Sequence, residues 1–169
     1  MPATPDDLFA FLDRLGIPHK TITHPPVFTV QEAKRLRGTI EGGHTKNLFL
    51  KDRKGAVFLV VALEHSVIDL KTLHAKLGAA RLSFGSPDLL RALWGVEPGS
   101  VTPFGAINDR EGQVAVVLDA AMMACATLNY HPLVNTMTTA IGRDDLVRFL
   151  EATGHRPRIM AVSEAPAAP

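Results

Sequence analysis

Apolar residues follow two spacings along this chain, and they alternate. Leu8, Phe11, Leu12 and Leu15 recur at helical intervals behind Thr4-Pro5-Asp6-Asp7, where a capping threonine, a first-turn proline and two acids suit a helix start; Gly16 ends the run. Ile17 to His24 reads as a short strand broken by Pro25-Pro26. Thr29-Val30-Gln31-Glu32 matches a capping box and opens a second helix that should stop near Gly38. Gly42-Gly43 then turns the chain into Leu48-Phe49-Leu50, a buried strand. It continues through Asp52-Arg53-Lys54-Gly55, a hairpin turn, into the apolar run Val57-Phe58-Leu59-Val60-Val61.

Beyond the hairpin, Asp69 caps a helix through Leu77, and Gly78 closes it. Arg81 to Phe84 is a short strand. Ser86-Pro87-Asp88 starts a helix with Leu89, Leu90, Leu93 and Trp94 inward. Gln113 to Leu118 is a strong buried strand and Asn135 to Ile141 a weaker, threonine-rich one. Arg143 to Thr153 forms the last helix, with Leu146, Phe149 and Leu150 inward. Helices and strands interleave, but several strands follow one another through tight turns. The expected fold is therefore α/β of the α+β kind: a mixed, largely antiparallel central sheet with flanking helices, not a doubly wound parallel one.

The length of 169 residues suits one domain, expected over residues 1–160. The closing Glu164-Ala165-Pro166-Ala167-Ala168-Pro169 is poor in core-forming residues, so 161–169 reads as a disordered tail. A 46% hydrophobic and 21% charged composition is ordinary for a soluble protein. With a formal net charge of +1, no global field draws it to nucleic acid or an anionic membrane, so any RNA contact must come from a local patch. The single Cys125 excludes an internal disulfide and a multi-cysteine zinc site and fits a reducing compartment. No apolar run reaches membrane-spanning length and the N-terminus has no signal core, so a cytoplasmic location without membrane contact is expected.

Several chemistries lack their sequence signatures. The seven histidines form no His-Glu-x-x-His run or close pair, so no metal site is expected. Cys125 lies among apolar neighbours, a poor setting for a nucleophilic thiolate. Neither a Gly-x-Ser-x-Gly elbow nor a phosphate-binding Gly-x-x-x-x-Gly-Lys loop occurs.

Three stretches remain as candidate chemistry. In Thr45-Lys46-Asn47-Leu48-Phe49-Leu50 a cation and an amide sit at the mouth of a core strand, where they could face a cleft; on periodicity alone Lys46 is a solvated lysine at a strand end. In Gly99-Ser100-Val101-Thr102-Pro103-Phe104-Gly105 two glycines and a proline fix an irregular loop. Its amides could meet an anion or a developing oxyanion, with the Ser100 and Thr102 hydroxyls as further donors. Taken alone this is also how an ordinary turn reads. In Tyr130-His131-Pro132-Leu133-Val134-Asn135-Thr136 the proline holds His131 extended, and Asn135, Thr136, Thr138 and Thr139 lie nearby in sequence.

Together and in this order, Thr45–Leu50, Pro98–Asp109 and His131–Thr136 resemble the YbaK/ProX-like family of aminoacyl-tRNA deacylases, related to the editing domain inserted in bacterial prolyl-tRNA synthetases. The resemblance spans the first helix to about Arg158, and the glycine loop followed by His131-Pro132 is most similar to the free-standing branch acting on Ala-tRNA for proline. It implies the editing-domain fold and trans editing of a mischarged tRNA acceptor end without cofactor, DNA or membrane. A prolyl-tRNA synthetase or an elongation factor would be the accompanying protein. It also implies catalytic roles for Lys46, Asn47 and His131 and a substrate-binding role for Gly99. The neighbouring Ser100, Val101, Thr102 and Thr136 fall with the substrate-binding group, and Lys51, Arg53, Lys54 and Arg81 are basic residues placed to meet the tRNA backbone. The synthetase insertion carries a small residue before His-Pro, where this chain has Asn129-Tyr130. No acid–base pair stands out in the motifs, which fits substrate-assisted hydrolysis. A non-catalytic tRNA- or synthetase-binding module and a deacylase for Ser or Cys esters are the alternatives.

Overall fold

The computed structural model of the chain describes residues 1–26 and 40–164. The helix expected from Thr29 to Gly38 lies outside them. Four helices are described: α1 (Pro5–Arg14), α2 (Leu70–Leu77), α3 (Pro87–Trp94) and α4 (Arg143–Ala152). Thr4, Asp69 and Ser86 cap the first three through side-chain oxygens, which accept from the amides of Asp7, Lys71 and Leu89.

Eight strands form one sheet: β1 (His19–Thr23), β2 (Gly43–Asp52), β3 (Val57–Leu63), β4 (Leu82–Phe84), β5 (Val114–Asp119), β6 (Thr127–Tyr130), β7 (Met137–Gly142) and β8 (Arg158–Met160). Their order is β1-β7-β6-β2-β3-β5-β8, with β4 also paired to β2. The β1–β7, β6–β7, β2–β3 and β2–β4 pairings are antiparallel, and β2–β6, β3–β5 and β5–β8 are parallel, so the sheet is mixed as expected.

The unbroken apolar run of β3 follows from its central place. Val57, Leu59 and Val61 face a core shared with Leu8, Leu12, Trp94, Phe104 and Phe149, while Phe58 and Val60 face a second core with Leu73, Leu77 and Val162. The hairpin is tied by Asp52, whose carboxylate accepts from the amides of Lys54, Ala56 and Ala80 at 3.0, 2.8 and 3.1 Å.

Three features depart from the pattern along the chain. β6 and β8 have no counterpart in it; each is short, and β6 is held by the next strand β7 and by distant β2, β8 by distant β5. Ile17 packs in the first core and β1 begins only at His19. The chain also stays held beyond residue 160. Val162 is fully buried, and the buried Asp119 carboxylate accepts from the Val162 amide at 3.0 Å and the Ser163 hydroxyl at 2.8 Å. A buried carboxylate requires donors, and this turn supplies them, so order continues through Glu164, with 165–169 outside the described residues.

Candidate active site

Among the described residues, the site begins with a break in the pairing of β2. Along one edge β2 pairs with β3 from Thr45 to Lys51. Along the other it pairs with β6 only at Gly43 and His44, and with β4 only from Leu50 to Asp52. Thr45 Oγ1 donates to the Asn129 carbonyl at 2.7 Å at one end of this gap, and the Gly85 amide donates to the Phe49 carbonyl at 2.9 Å at the other. Because Phe49 directs its carbonyl toward β4, the backbone of Asn47, two residues earlier, points into the gap as well. Lys46 and Asn47 therefore sit within β2 at the gap, not at the mouth of the strand.

Their side chains leave opposite faces of the pleat. Asn47 opens on a cavity of about 200 Å³ that Phe49, Pro87, Leu90, Pro98 and Val101 also line. Its Oδ1 is buried and has no hydrogen-bond partner among the described residues. An unmet buried acceptor costs about 1–3 kcal/mol; among the described residues Asn129 Oδ1 is the other such atom. Lys46 does not line this cavity; its half-buried ammonium donates to the Ser66 carbonyl.

The glycine loop is built from two 3-10 turns, Pro98–Ser100 and Pro103–Ile107. Much of its polar inventory is committed internally. The Ser100 amide donates to the Glu97 carbonyl at 2.9 Å, the fully buried Thr102 hydroxyl accepts from the Phe104 amide at 3.3 Å, and the Thr102 carbonyl accepts from Trp94 Nε1 at 2.6 Å. Ser100 is itself buried. What the loop offers outward is the exposed backbone of Gly99 and the Val101 wall of the cavity. A Cβ on Gly99 would lie 3.4 Å from Asn135 Nδ2, so this loop meets the segment that follows His131.

In that segment Leu133 is the one non-glycine residue with positive φ, 71°, among the described residues, and it is buried in the first core. Its amide donates to the His131 carbonyl at 2.9 Å, so a strained, anchored turn holds the histidine in place. His131 Nδ1 lies 2.9 Å from the Met137 carbonyl. A carbonyl only accepts, so Nδ1 carries the proton and Nε2 of the neutral ring is the acceptor. Burial pushes the imidazole below its ordinary pKa; the Met137 carbonyl opposes this, and the nearby His24 adds to it. The sequence offers His131 no orienting group in its own motif, and the structure supplies one from β7.

His24 carries no signal of function in the sequence, where Pro25-Pro26 reads only as a strand breaker. Its ring centroid is 6.3 Å from that of His131. Its Nδ1 lies 2.9 Å from the Pro25 carbonyl and its Nε2 2.8 Å from Thr138 Oγ1, while its amide donates to the Thr136 carbonyl at 2.9 Å. Thr136, Met137 and Thr138 thus hold both histidines. The available signal is that a proline follows each, as His24-Pro25 and His131-Pro132. The Thr136 side chain is exposed, and no hydrogen bond joins Lys46 or Asn47 to His131 among the described residues. Asn129 and Tyr130 both turn inward: Asn129 Nδ2 donates to the Glu41 carbonyl at 2.9 Å, and the Tyr130 hydroxyl to Met122 Sδ at 3.3 Å. Burial pushes the Tyr130 phenol far above its usual range.

Lys51, Arg53, Lys54 and Arg81 are all exposed at the hairpin end of the sheet, where the Arg53 amide donates to the Arg81 carbonyl at 3.1 Å and Lys51 pairs with Ser83. Among the described residues none of the four makes an ion pair, no three His, Cys, Asp or Glu side chains cluster as a metal site would require, and no helix is long and apolar enough to cross a membrane.

Comparison with known proteins places these features in a family. Residues 24–149 match the aminoacyl-tRNA editing domain. The chain is 38% identical over 149 residues to the prolyl-tRNA editing protein ProX of Acetoanaerobium sticklandii, covering 88% of this chain and 91% of that one. It is 40% identical over 157 residues to the prolyl-tRNA synthetase associated domain-containing protein 1 of Danio rerio, covering 92% and 85%. A crystal structure described as a candidate trans-editing enzyme for prolyl-tRNA synthetase superposes with a TM-score of 0.72 at 19% identity, over 98% of this chain and all of that one, and shares the fold.

Proposed function

The chain belongs to the aminoacyl-tRNA editing domain family, and from that premise we propose that it is a trans-editing deacylase that frees tRNA for proline from mischarged alanine. The observation that carries this reading is Asn47. The residue lines a small, largely apolar cavity beside the loop through Gly99 and Val101, and its buried Oδ1 has no hydrogen-bond partner among the described residues. The α-amino group of an aminoacyl ester is a donor of the kind that this oxygen lacks.

An aminoacyl ester on a terminal ribose is already reactive, so the protein needs only to hold it, place a water and stabilise the developing oxyanion. Water oxygen attacks the ester carbonyl, the bond to the ribose oxygen breaks, and that oxygen takes the proton as the amino acid leaves. The neighbouring ribose hydroxyl positions the water. His131, neutral and with Nε2 free to accept, hydrogen-bonds the ribose or aminoacyl group. Lys46, on the other face of β2, exchanges the Ser66 carbonyl for a substrate phosphate, and the amides of Gly99 and Val101 face the oxyanion. Close-packed walls of Phe49, Pro87, Leu90 and Pro98 set the size limit. A separate alanine-clearing site is useful because a proline site rejects a smaller side chain by only about 1–3 kcal/mol per missing methylene.

The test is a panel of tRNAs charged with Ala, Pro, Ser and Cys, incubated with purified protein in chelator, with and without prolyl-tRNA synthetase. Hydrolysis of Ala-tRNA for proline with Pro-tRNA spared is expected from the protein alone. Equal cleavage of both refutes the specificity, and no cleavage in any arm leaves a binding module.

A further inference from the structure

His24 has no part in the proposed hydrolysis, yet it stands against the histidine that does. Its ring centroid is 6.3 Å from that of His131, with the planes tilted by 51°. The sheet register brings it there. Ile22 pairs with Thr138, Ala140 with Asn129, and Asn129 with His44. The His24 amide donates to the Thr136 carbonyl at 2.9 Å and so continues the β1–β7 ladder one residue past Thr23. Residues two apart on a strand share a face, so His24 and Lys46 share the face that carries Thr138.

Both ring nitrogens of His24 are committed. Nδ1 lies 2.9 Å from the Pro25 carbonyl, which only accepts, so Nδ1 carries a proton. Pro25 has the fixed φ of proline and is held extended by Pro26, which keeps that carbonyl in place. Nε2 lies 2.8 Å from Thr138 Oγ1. Neither nitrogen is left for substrate or for a proton in transit, so His24 is not the acid or the base. What it grips is the stretch that orients His131. Backbone groups of successive strand residues point to opposite neighbours. Thr136 and Thr138 therefore meet His24 on the β1 side, while Met137 between them gives its carbonyl to His131 Nδ1 on the β6 side, at 2.9 Å.

We propose that His24 is a positioning residue for His131. Through the Thr138 hydroxyl it holds the start of β7, so that the Met137 carbonyl keeps His131 protonated at Nδ1 with Nε2 open as the acceptor. The inference rests on the editing reading for what Nε2 meets, but its own observable is the tautomer of a ring, which is read without substrate.

The experiment records proton–nitrogen correlation spectra of the histidine rings in the full chain, above pH ~6.5, where an ordinary imidazole is neutral. The His131 signals are those lost in His131→Ala, and kcat and KM on Ala-tRNA for proline are measured alongside. Wild type should show His131 protonated at Nδ1. His24→Ala, and Thr138→Val, which keeps the β-branched shape but not the hydroxyl, should each bring in the Nε2-protonated form. Both should lower kcat roughly ten- to a hundredfold with KM within about twofold. His24→Gln, whose amide reaches about as far as Nε2, should recover most of the tautomer and of kcat. A single Nδ1-protonated His131 with wild-type kcat in His24→Ala overturns the proposal; if that variant does not fold, the same result in Thr138→Val overturns it. A raised KM with unchanged kcat overturns it too, because His24 would then be a substrate contact. Absence of deacylation by the wild-type chain refutes the editing reading alone, and the tautomer still decides the role of His24.

Discussion

Two glycines of one loop should respond oppositely to the same substitution. A Cβ at Gly105 would lie 2.1 Å from Trp94 Cδ1 and 2.2 Å from Nε1. To regain a contact of ~3.5 Å the indole must retreat by about 1.4 Å. It has nowhere to go. Trp94 is fully buried, and His155 stands edge-on to it at 5.7 Å, held 2.8 Å from the buried Asp109 carboxylate. The indole also donates to the Thr102 carbonyl at 2.6 Å, the bond that ties the glycine loop to α3. Overpacking costs about 1–3 kcal/mol, and stranding a buried N–H another ~1–3, so Gly105→Ala should lose about 2–6 kcal/mol. That is a large share of the ~5–15 kcal/mol of a typical domain. At Gly99 the same Cβ would make an ordinary 3.4 Å contact with Asn135, so Gly99→Ala should stay within about 0.5 kcal/mol of wild type. Urea unfolding followed by the fluorescence of Trp94, the single tryptophan, reads both variants. A wild-type midpoint and emission for Gly105→Ala would refute the packing argument, as would unfolding of Gly99→Ala.

Lys46→Ala should cut single-turnover deacylation by roughly two orders of magnitude or more while costing about 1 kcal/mol of stability, because its visible contact is one hydrogen bond to the Ser66 carbonyl. Lys46→Arg should rescue only in part, since a planar fork replaces a compact ammonium; near-normal turnover of Lys46→Ala on saturating substrate would refute the role. The His131 pKa lies below its ordinary value of about 6.5, so the ring is neutral above that pH; deacylation, corrected for spontaneous hydrolysis, should be level through pH ~6.5 and fall only below it. The same sign holds for stability: the contribution of the buried neutral ring is complete above the unfolded-state value and is lost as pH falls. A single-proton step at or above pH ~6.5 that disappears in His131→Ala would show a different protonation state and make His131 the base.

What the sequence makes legible is what local chemistry specifies. Thr4, Asp69 and Ser86 announce helices because a cap needs only its own next turn, and β3 announces itself because both its faces are buried. β6 is four residues, Thr-Leu-Asn-Tyr, held by β7 on one side and the first residues of β2 on the other; nothing within it encodes either partner. The same limit applies at the site. The glycine loop is recognisable, but not that the Thr102 hydroxyl serves as an internal cap or that Gly105 makes room for the indole of Trp94. His24 is invisible as a site residue because its partners, Thr136 and Thr138, lie at the far end of the chain.

The gap in β2 explains why such a site suits the end of a nucleic acid strand. An unpaired strand edge normally invites another strand, a liability that proteins manage by shortening or covering it. Here the open stretch is closed at both ends, by the Thr45 hydroxyl on the Asn129 carbonyl and by the Gly85 amide on the Phe49 carbonyl. A neighbouring protein would need to match a ladder several residues long, and it would meet β6 and β4 before it reached Asn47. A chain end only one residue wide does not have that difficulty. Among the described residues the Asn47 backbone is thus shielded from sheet extension, while the cavity that its side chain lines has room for a narrow polar ligand such as a terminal aminoacyl ribose.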